Sequence, residues 1–460
     1  MVEAYDVIIV GAGSAGIFSA LEITEISPGA DVLILERGHR LERRVCPLSQ
    51  SAVECSHCKP CHNVSGWGGA GAFSDGKITL TTKFGGELDR YVGEEYLSEL
   101  IQYCDDWYLQ FGAPDRVYGG DSEQIRHLRR RAAAAELTFI PARIRHLGTD
   151  RCLEVIGRAY DYLKQRVEIK TGVEVAEVLI EDGSCRGVIC ANGEQYRADY
   201  VVAAPGRSGS DWLEKQATKL GIQVNTSPVD VGVRVEVPAL VTEEVTDEVY
   251  ESKLLYYSKS FDDRVRTFCM CPGGEVTLEN VGGLITVNGH SFENQRGENT
   301  NFALLVSKSF TEPFDEPIEY GSNIAALANM LGGGALVQRL GDLLSGRRST
   351  PRRIERGVVN PTLKEATPGD LSLVLPYRHL LGILEMMEAL DDVMPGVYSR
   401  HTLLYGVEAK FYSSTIGVDE SLKTEIDRLY VAGDGAGITR GLAQSSASGV
   451  HVARSILQTT

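Results

Sequence analysis

The stretch that most constrains this chain is "YDVIIVGAGSAGIFSALEI" near the N-terminus, together with the "DVLILER" that follows it. An apolar run, Val7 to Val10, leads into Gly11, Gly13 and Gly16, and then into a segment of small and apolar residues. The run predicts a buried strand, the G-x-G-x-x-G spacing a tight turn, and the remainder a helix. The first glycine makes the turn, the second lets a pyrophosphate approach the backbone, and the third lets helix and strand pack closely. The helix N-terminus, at Ser14 and Ala15, then presents its positive dipole end to phosphate. The second strand ends in Glu36, followed by Arg37, at the distance where a carboxylate accepts from ribose hydroxyls. Strand, turn, helix, strand and acid in this register predict a dinucleotide site.

The far end of the chain narrows the choice of dinucleotide. In "TEIDRLYVAGDGAGITRGLAQSSASGVHVARSIL" a strand runs to Gly433 and Asp434, and a helix begins near Gly441. This resembles the C-terminal flavin motif of the glutathione-reductase-like FAD proteins. The resemblance implies that Gly433 and Asp434 hold the ribityl chain. It also implies that Arg440, Gly441, Leu442 and Ala443 bring a helix N-terminus to the flavin edge where charge collects on reduction. Between the two ends, "VEIKTGVEVAEVLIEDGSCRGVICANGEQYRADYVVAAPGRSG" reads as strands joined by turns at "DGS" and "ANGEQ". In such proteins this region contributes a backbone position, here Val175, and a turn glycine after the last strand, here Gly206. The usual Thr before that glycine is Pro205, which removes a side-chain hydrogen bond but keeps the turn. A second glycine-rich stretch, "LGGGALVQRLGDLL", has no strand before it and reads as a loop capping a helix. NAD(P)H therefore enters only as a transient reductant or through a partner.

More specific strings extend the resemblance along the whole chain: "GWGGAGAFSDGK", "PVDVGVRVEVPA", "CMCPGGEV", "VNGHSFENQRGENTNFAL", "YGVEAKFYSS" and "YVAGDGAGITRGLAQSSASG". On these the chain is similar to the bacterial "uncharacterised FAD-dependent dehydrogenase" family. The resemblance implies an FAD-dependent oxidoreductase that passes a hydride between flavin N5 and a small organic substrate, which it does not identify. The implied fold class is α/β, with a discontinuous, glutathione-reductase-like (Rossmann-type) FAD-binding domain over 1–86, 146–215 and 401–460. Residues 87–145 are expected to form a helical insertion, and 216–400 a mixed α/β substrate or cap domain.

The net charge of −17 weighs against nucleic acid and anionic membrane as partners, and against an RNA-modifying role. No apolar run reaches a membrane span, and "MVEAYDVIIVGAG" lacks a signal-peptide pattern, so a cytoplasmic protein is expected. Ten cysteines in that compartment point to metal, redox work or burial rather than disulfides. Cys46, Cys55, Cys58 and Cys61 are spaced as ligands for zinc or an iron–sulfur cluster. His57 and His62 are alternative ligands, and Cys58 with Cys61 is alternatively a redox pair. The glycine-rich return that follows gives Gly68, Gly69, Ala70, Gly71, Asp75 and Lys77 as further cofactor contacts.

The candidate catalytic residues are Cys269 and Cys271, His290 and Arg296, and Lys410. Asn288 is a candidate for orienting substrate and His146 for facing the site. Each also reads as an ordinary structural residue. Cys104, Cys152, Cys185 and Cys190 read as core or surface filling. A second functional class stays open: a flavin electron-transfer or redox-sensing protein that uses the four-cysteine cluster with a protein partner.

Overall fold

The computed structural model describes residues 4–46, 58–74, 76–140, 142–281, 283–291, 297–310, 313–314 and 316–459. The chain folds into two units. One comprises 1–116, 145–227 and 413–460; the other comprises 117–144 and 228–412.

The first unit is built on a sheet of five parallel strands extended by an antiparallel hairpin. Its central strand, Ala4–Val10, lies parallel to Val32–Glu36 on one side and to Gln195–Ala203 on the other. Glu168–Thr171 continues the parallel arrangement beyond Val32–Glu36. On the other flank, Leu429–Val431 pairs with the C-terminal half of Gln195–Ala203. The antiparallel strands Val175–Glu181 and Ser184–Cys190 join at the other half of that strand. Ile8, Ile9, Leu33, Ile34, Val201 and Val202 are buried on both faces, as parallel strands require. The helix Ser14–Ile26 packs against the C-terminal helix Leu442–Thr459 with backbones close together. Ser19 donates to the Gly449 carbonyl at 3.0 Å, and a Cβ on Gly449 would collide with the Ala15 carbonyl. Arg454 donates to the buried Glu22 at 2.5 Å across the same pair. The N- and C-terminal motifs are thus two halves of one structure.

The second unit is an eight-stranded, almost wholly antiparallel sheet. Its centre is Val229–Pro238, flanked by Asn299–Lys308 and Leu403–Phe411. In "VDVGVRVEVP" every odd position from 229 to 237 is valine, and these side chains join one apolar core. The helices Pro317–Gly332 and Tyr377–Asp391 contribute Ile324, Ala328, Ile383, Met386 and Leu390 to it. The even positions carry Asp230, Arg234 and Glu236, and these are buried as well. Simple alternation predicts a solvated polar face; here that face is covered, in part by the hairpin Glu275–Val281 and Leu284–His290.

The boundaries differ from those expected. Residues 87–116 belong to the first unit, which the helix Glu94–Gln110 joins through Leu97, Leu100, Ile101 and Trp107. Residues 117–144 belong to the second unit, because Thr138–Ile140 pairs with Lys253–Tyr257 at its sheet edge. Leu403–Phe411 is a strand of the second sheet, not of the first. No helix among the described residues is long and apolar enough to cross a membrane.

Candidate functional site

The five parallel strands of the first unit end at one edge, and the residues picked out by the glycine motifs follow those ends directly. Gly11 donates to the Leu35 carbonyl at 2.8 Å, and Ala204 donates to the Val10 carbonyl at 2.8 Å. A crevice between neighbouring strand ends of this kind is where open α/β sheets bind ligands.

Each glycine has its own reason. Gly11 has φ +104°, and a Cβ there would collide with the Ala204 carbonyl. A Cβ on Gly16 would collide with the Gly11 carbonyl. Gly13 is different: its backbone is extended, with φ −79°, and a Cβ there would meet nothing within 4 Å. Packing explains Gly11 and Gly16; at Gly13 it leaves an open cradle at an uncapped helix N-terminus.

Glu36 is buried, and its carboxylate organises the edge. It accepts from the backbone N–H of Ala12 at 2.8 Å, of Gly38 at 2.8 Å and of Gly66 at 2.9 Å. A carboxylate has about four acceptor sites, so one remains for a ligand hydroxyl. Arg37 instead reaches the Ser208 carbonyl at 2.7 Å. Val175 lies buried in the hairpin, two residues beyond Val173, whose N–H donates to the Glu36 carbonyl at 3.0 Å.

The glycine-rich return comes to the same place. Gly68 donates to the Ala12 carbonyl at 2.8 Å, a Cβ on Gly69 would lie 3.1 Å from the Gly13 Cα, and one on Gly71 would lie 2.7 Å from Leu442. Ala70 is exposed in the short helical turn Gly69–Phe73, and Lys77 begins the strand Lys77–Thr79. Gly206 has φ +64° and faces open space, so the turn survives Pro205. Gly435 packs on Gly206, with a Cβ 2.6 Å from its carbonyl. Asp434 accepts from Arg207 at 3.0 Å. Arg440 donates its backbone N–H to the Gly85 carbonyl at 2.8 Å, Gly441 is exposed beside Gly85, and the helix with Leu442 and Ala443 starts there.

Arg44 was not singled out by any pattern in the sequence. It is buried, and its guanidinium donates to the carbonyls of His62 at 2.9 Å, Trp67 at 2.6 Å, Asn63 at 3.0 Å and Gly69 at 2.8 Å. It knits the glycine-rich return into shape. Burial lowers its pKa to about 10, with Glu36 and Cys61 opposing the fall. Its only sequence signal is a cation between two predicted loops.

Cys58 and Cys61 carry free thiols, Cys46 is half-buried, and Cys55 and His57 lie outside the described residues. Among the described residues no three His, Cys, Asp or Glu side chains gather as for a metal ion. His62 approaches the Arg43 carbonyl at 3.2 Å instead. Asp75 and Arg296 also lie outside the described residues. His146 is buried in the strand Ile144–His146, three residues before the helix Thr149–Leu163.

Cys269, Cys271 and Lys410, three of the catalytic candidates, share one network on the covered polar face of the second unit. Arg234 is fully buried. It donates to Asn301 at 2.8 Å, Glu408 at 3.2 Å, the Cys269 carbonyl at 2.6 Å and the Cys271 sulfur at 3.2 Å. Lys410 lies 3.3 Å from both Glu408 and Glu279, and Asn288 donates to Glu279 at 3.1 Å. Burial works against the charges of Arg234 and Lys410, but the carboxylates outweigh it and raise both pKa values. His290 ends the covering hairpin. A Cβ on Gly289 would collide with Arg234, so only glycine lets the hairpin close over the guanidinium. Beside this cluster, Glu236 accepts from Tyr405 at 2.5 Å, Thr362 at 2.6 Å and Asn299 at 3.0 Å. Asp230 is held by Arg266 and by Tyr412 at 2.6 Å.

Cys269 and Cys271 do not share a face as residues of a regular strand would. The strand Arg264–Cys271 is bulged between Phe268 and Cys271, and Cys269 has φ +46°. The bulge turns the Cys269 carbonyl onto Arg234.

With this geometry in place, comparisons with known proteins give three results. A family model described as "FAD-dependent protein, C-terminal domain-like" matches residues 228–411, nearly the whole main segment of the second unit. A protein of Clostridium beijerinckii (strain ATCC 51743 / NCIMB 8052), described as uncharacterized, is 27% identical over 480 residues, covering 98% of this chain and 80% of the relative. Among solved structures, the chain is similar to formate oxidase from Aspergillus oryzae RIB40, with 13% identity and a TM-score of 0.47 over 99% of this chain and 98% of that one. Glycine oxidase from Geobacillus kaustophilus aligns over 99% of this chain and 95% of its own, at 12% identity and a TM-score of 0.42.

Proposed function

We propose that the chain is an FAD-dependent oxidoreductase whose first unit holds the dinucleotide and whose substrate is a small organic molecule. The observation that carries this reading is Gly13: an uncapped helix N-terminus meets open space between two strand ends, beside a buried acid with one acceptor site left. The description of the family matched by the second unit supports the choice of FAD.

The residues present fit the group. The backbone from Gly11 to Gly16 would hold the pyrophosphate, Glu36 the ribose, Gly433 and Asp434 the ribityl chain, and Arg440 to Ala443 the pyrimidine edge of the ring. FAD, when bound, supplies two-electron hydride chemistry at its ring. The chain's own work is to position and to set charge. Gly68 and Gly66 tie the glycine-rich return to the cradle, and Arg44 fixes its shape by filling four carbonyls.

The test is the visible spectrum of the purified protein, with FAD assayed after denaturation. Flavin bands in the wild type and their loss in a folded Gly13→Val variant are expected. A wild-type protein that carries no flavin and takes up none on incubation overturns the reading.

A further inference from the structure

At one end of the second sheet, four elements converge on a cavity of about 450 Å³. Lys308 closes the strand Asn299–Lys308, and Asp263 precedes the strand Arg264–Cys271. Tyr320 comes from the helix Pro317–Gly332, and Arg378 and His379 from the first turn of the helix Tyr377–Asp391. All line the cavity, as does Phe310.

His379 is the observation that needs explaining. It is 1% exposed, and neither ring nitrogen has a hydrogen-bond partner among the described residues. A buried polar group left unsatisfied costs about 1–3 kcal/mol, and imidazole has two such atoms. The Tyr320 ring lies 5.9 Å away, tilted against it, and supplies none. Burial first, and Lys308 second, lower its pKa to about 4. At neutral pH it therefore offers one N–H donor and one acceptor.

Among the described lining residues cations outnumber anions. Asp263 is bracketed by Lys308 and by Arg378, whose Nε and Nη2 lie 2.5 and 2.8 Å from the carboxylate. Two cations face one carboxylate. The Lys308 ammonium has three donors and the guanidinium five, more than Asp263 takes up. The helix that carries Arg378 and His379 begins at Pro376, which also lines the cavity. No side chain caps it and no acid sits in its first turn, so its positive dipole end is unopposed. Phe310 and Tyr320 pack together, ring centroids 4.8 Å apart, and give one wall an apolar surface.

We propose that this cavity is a binding site for a small organic anion, its carboxylate or phosphate held by Lys308, Arg378, His379 and the helix N-terminus, with a flat apolar body against Phe310 and Tyr320. The volume suits a small-molecule site. The site lies wholly in the second unit and does not rest on the FAD reading.

The experiment is calorimetric titration of the full-length protein, with excess FAD present, using benzoate, phenyl phosphate and neutral benzamide as probes. At least one anion is expected to bind with a Kd of about 1 mM or tighter, and benzamide is not. Arg378→Gln is expected to weaken the anion tenfold or more. Ser309→Phe, at an exposed lining position, is expected to do the same by filling the cavity. Preference for benzoate or for phenyl phosphate assigns the head group. The proposal is overturned if neither anion binds at about 10 mM, if benzamide binds as well as the anions, or if both variants bind like the wild type.

Discussion

Gly13 in the first unit and Arg234 in the second are both at places where strands bring polar groups together, and they are treated in opposite ways. Around Gly13 the protein leaves space, an uncapped helix end and an incompletely used carboxylate. Around Arg234 the donors are spent on Asn301, Glu408, Cys269 and Cys271, and a hairpin with glycine at its closest point seals the cluster. Unspent hydrogen bonds mark where a ligand is awaited; mutual satisfaction marks groups that hold the protein together. Cys271 and Lys410 therefore read as parts of a structural network, although their residue types suggest chemistry. Asn301 Nδ2 and Arg339 Nε also lack a partner among the described residues of the second unit, but His379 leaves both of its ring nitrogens so, and it is there that the further site was found.

The largest effect is expected from breaking the closed network. Glu408→Gln leaves Arg234 and Lys410 buried with one carboxylate, Glu279, in place of two. Removing one partner of a buried ion pair costs about 3–5 kcal/mol, readable as a lowered denaturation midpoint. Pairing it with Arg234→Met should cost less than the two single changes added together. A single change costing under about 1 kcal/mol would mean that the network is solvated and open to ligands, and the contrast with Gly13 would fail.

The next effect is set by pH. His379 is held near a pKa of about 4, below the 6.5 of an exposed imidazole. The unfolded chain therefore binds a proton that the folded one refuses as pH falls below 6.5. Stability is complete above that value, declines through the window, and has lost its full share below pH 4, by up to about 3 kcal/mol. Lys308 and Arg378 favour the neutral ring and Asp263 opposes them. Carboxylates elsewhere also titrate, so the measurement is the difference between wild type and His379→Phe in urea unfolding at a series of pH values. Parallel curves would remove His379 from the account. Addition of the bound anion should flatten the wild-type curve, because a negative charge beside the ring favours its protonation.

The open cradle comes third. Gly13→Val should lower FAD affinity about a hundredfold, about 2.8 kcal/mol, while the thermal midpoint without FAD stays close to that of the wild type. Gly16→Val has no such freedom, because its Cβ meets the Gly11 carbonyl, and it should lose stability with or without FAD. If the two behave alike, Gly13 is a packing glycine and the cradle has another use.

These positions also show what could be read before the structure. Gly11, Gly13, Gly16 and Glu36 were legible because a strand–turn–helix has few backbone solutions and each residue type is forced by one of them. Gly206 and Gly433 were legible for the same reason, at the ends of short apolar strands. The valines of Val229–Pro238 announced a strand, but not that Asp230, Arg234 and Glu236 on its other face are buried, since that depends on a hairpin some forty residues on. The unit boundaries failed similarly: pairing of Thr138–Ile140 with Lys253–Tyr257 leaves no local trace. Arg44 and His379 were missed because their importance lies in what surrounds them.

The smallest effect tests whether strain in the closed network is structural or functional. Cys269 holds φ +46°, a conformation that costs a residue with a Cβ about 1–2 kcal/mol and glycine little. Its carbonyl accepts a hydrogen bond from Arg234. Cys269→Gly keeps that carbonyl and relieves the strain, so it should raise stability by up to about 1 kcal/mol. If turnover of a substrate, once found, is unchanged in this variant, the bulge serves to aim a backbone oxygen. If stability rises and turnover collapses, strain has been retained for the thiol, and the second unit holds a reactive site within a network that otherwise accounts for every charge around Arg234.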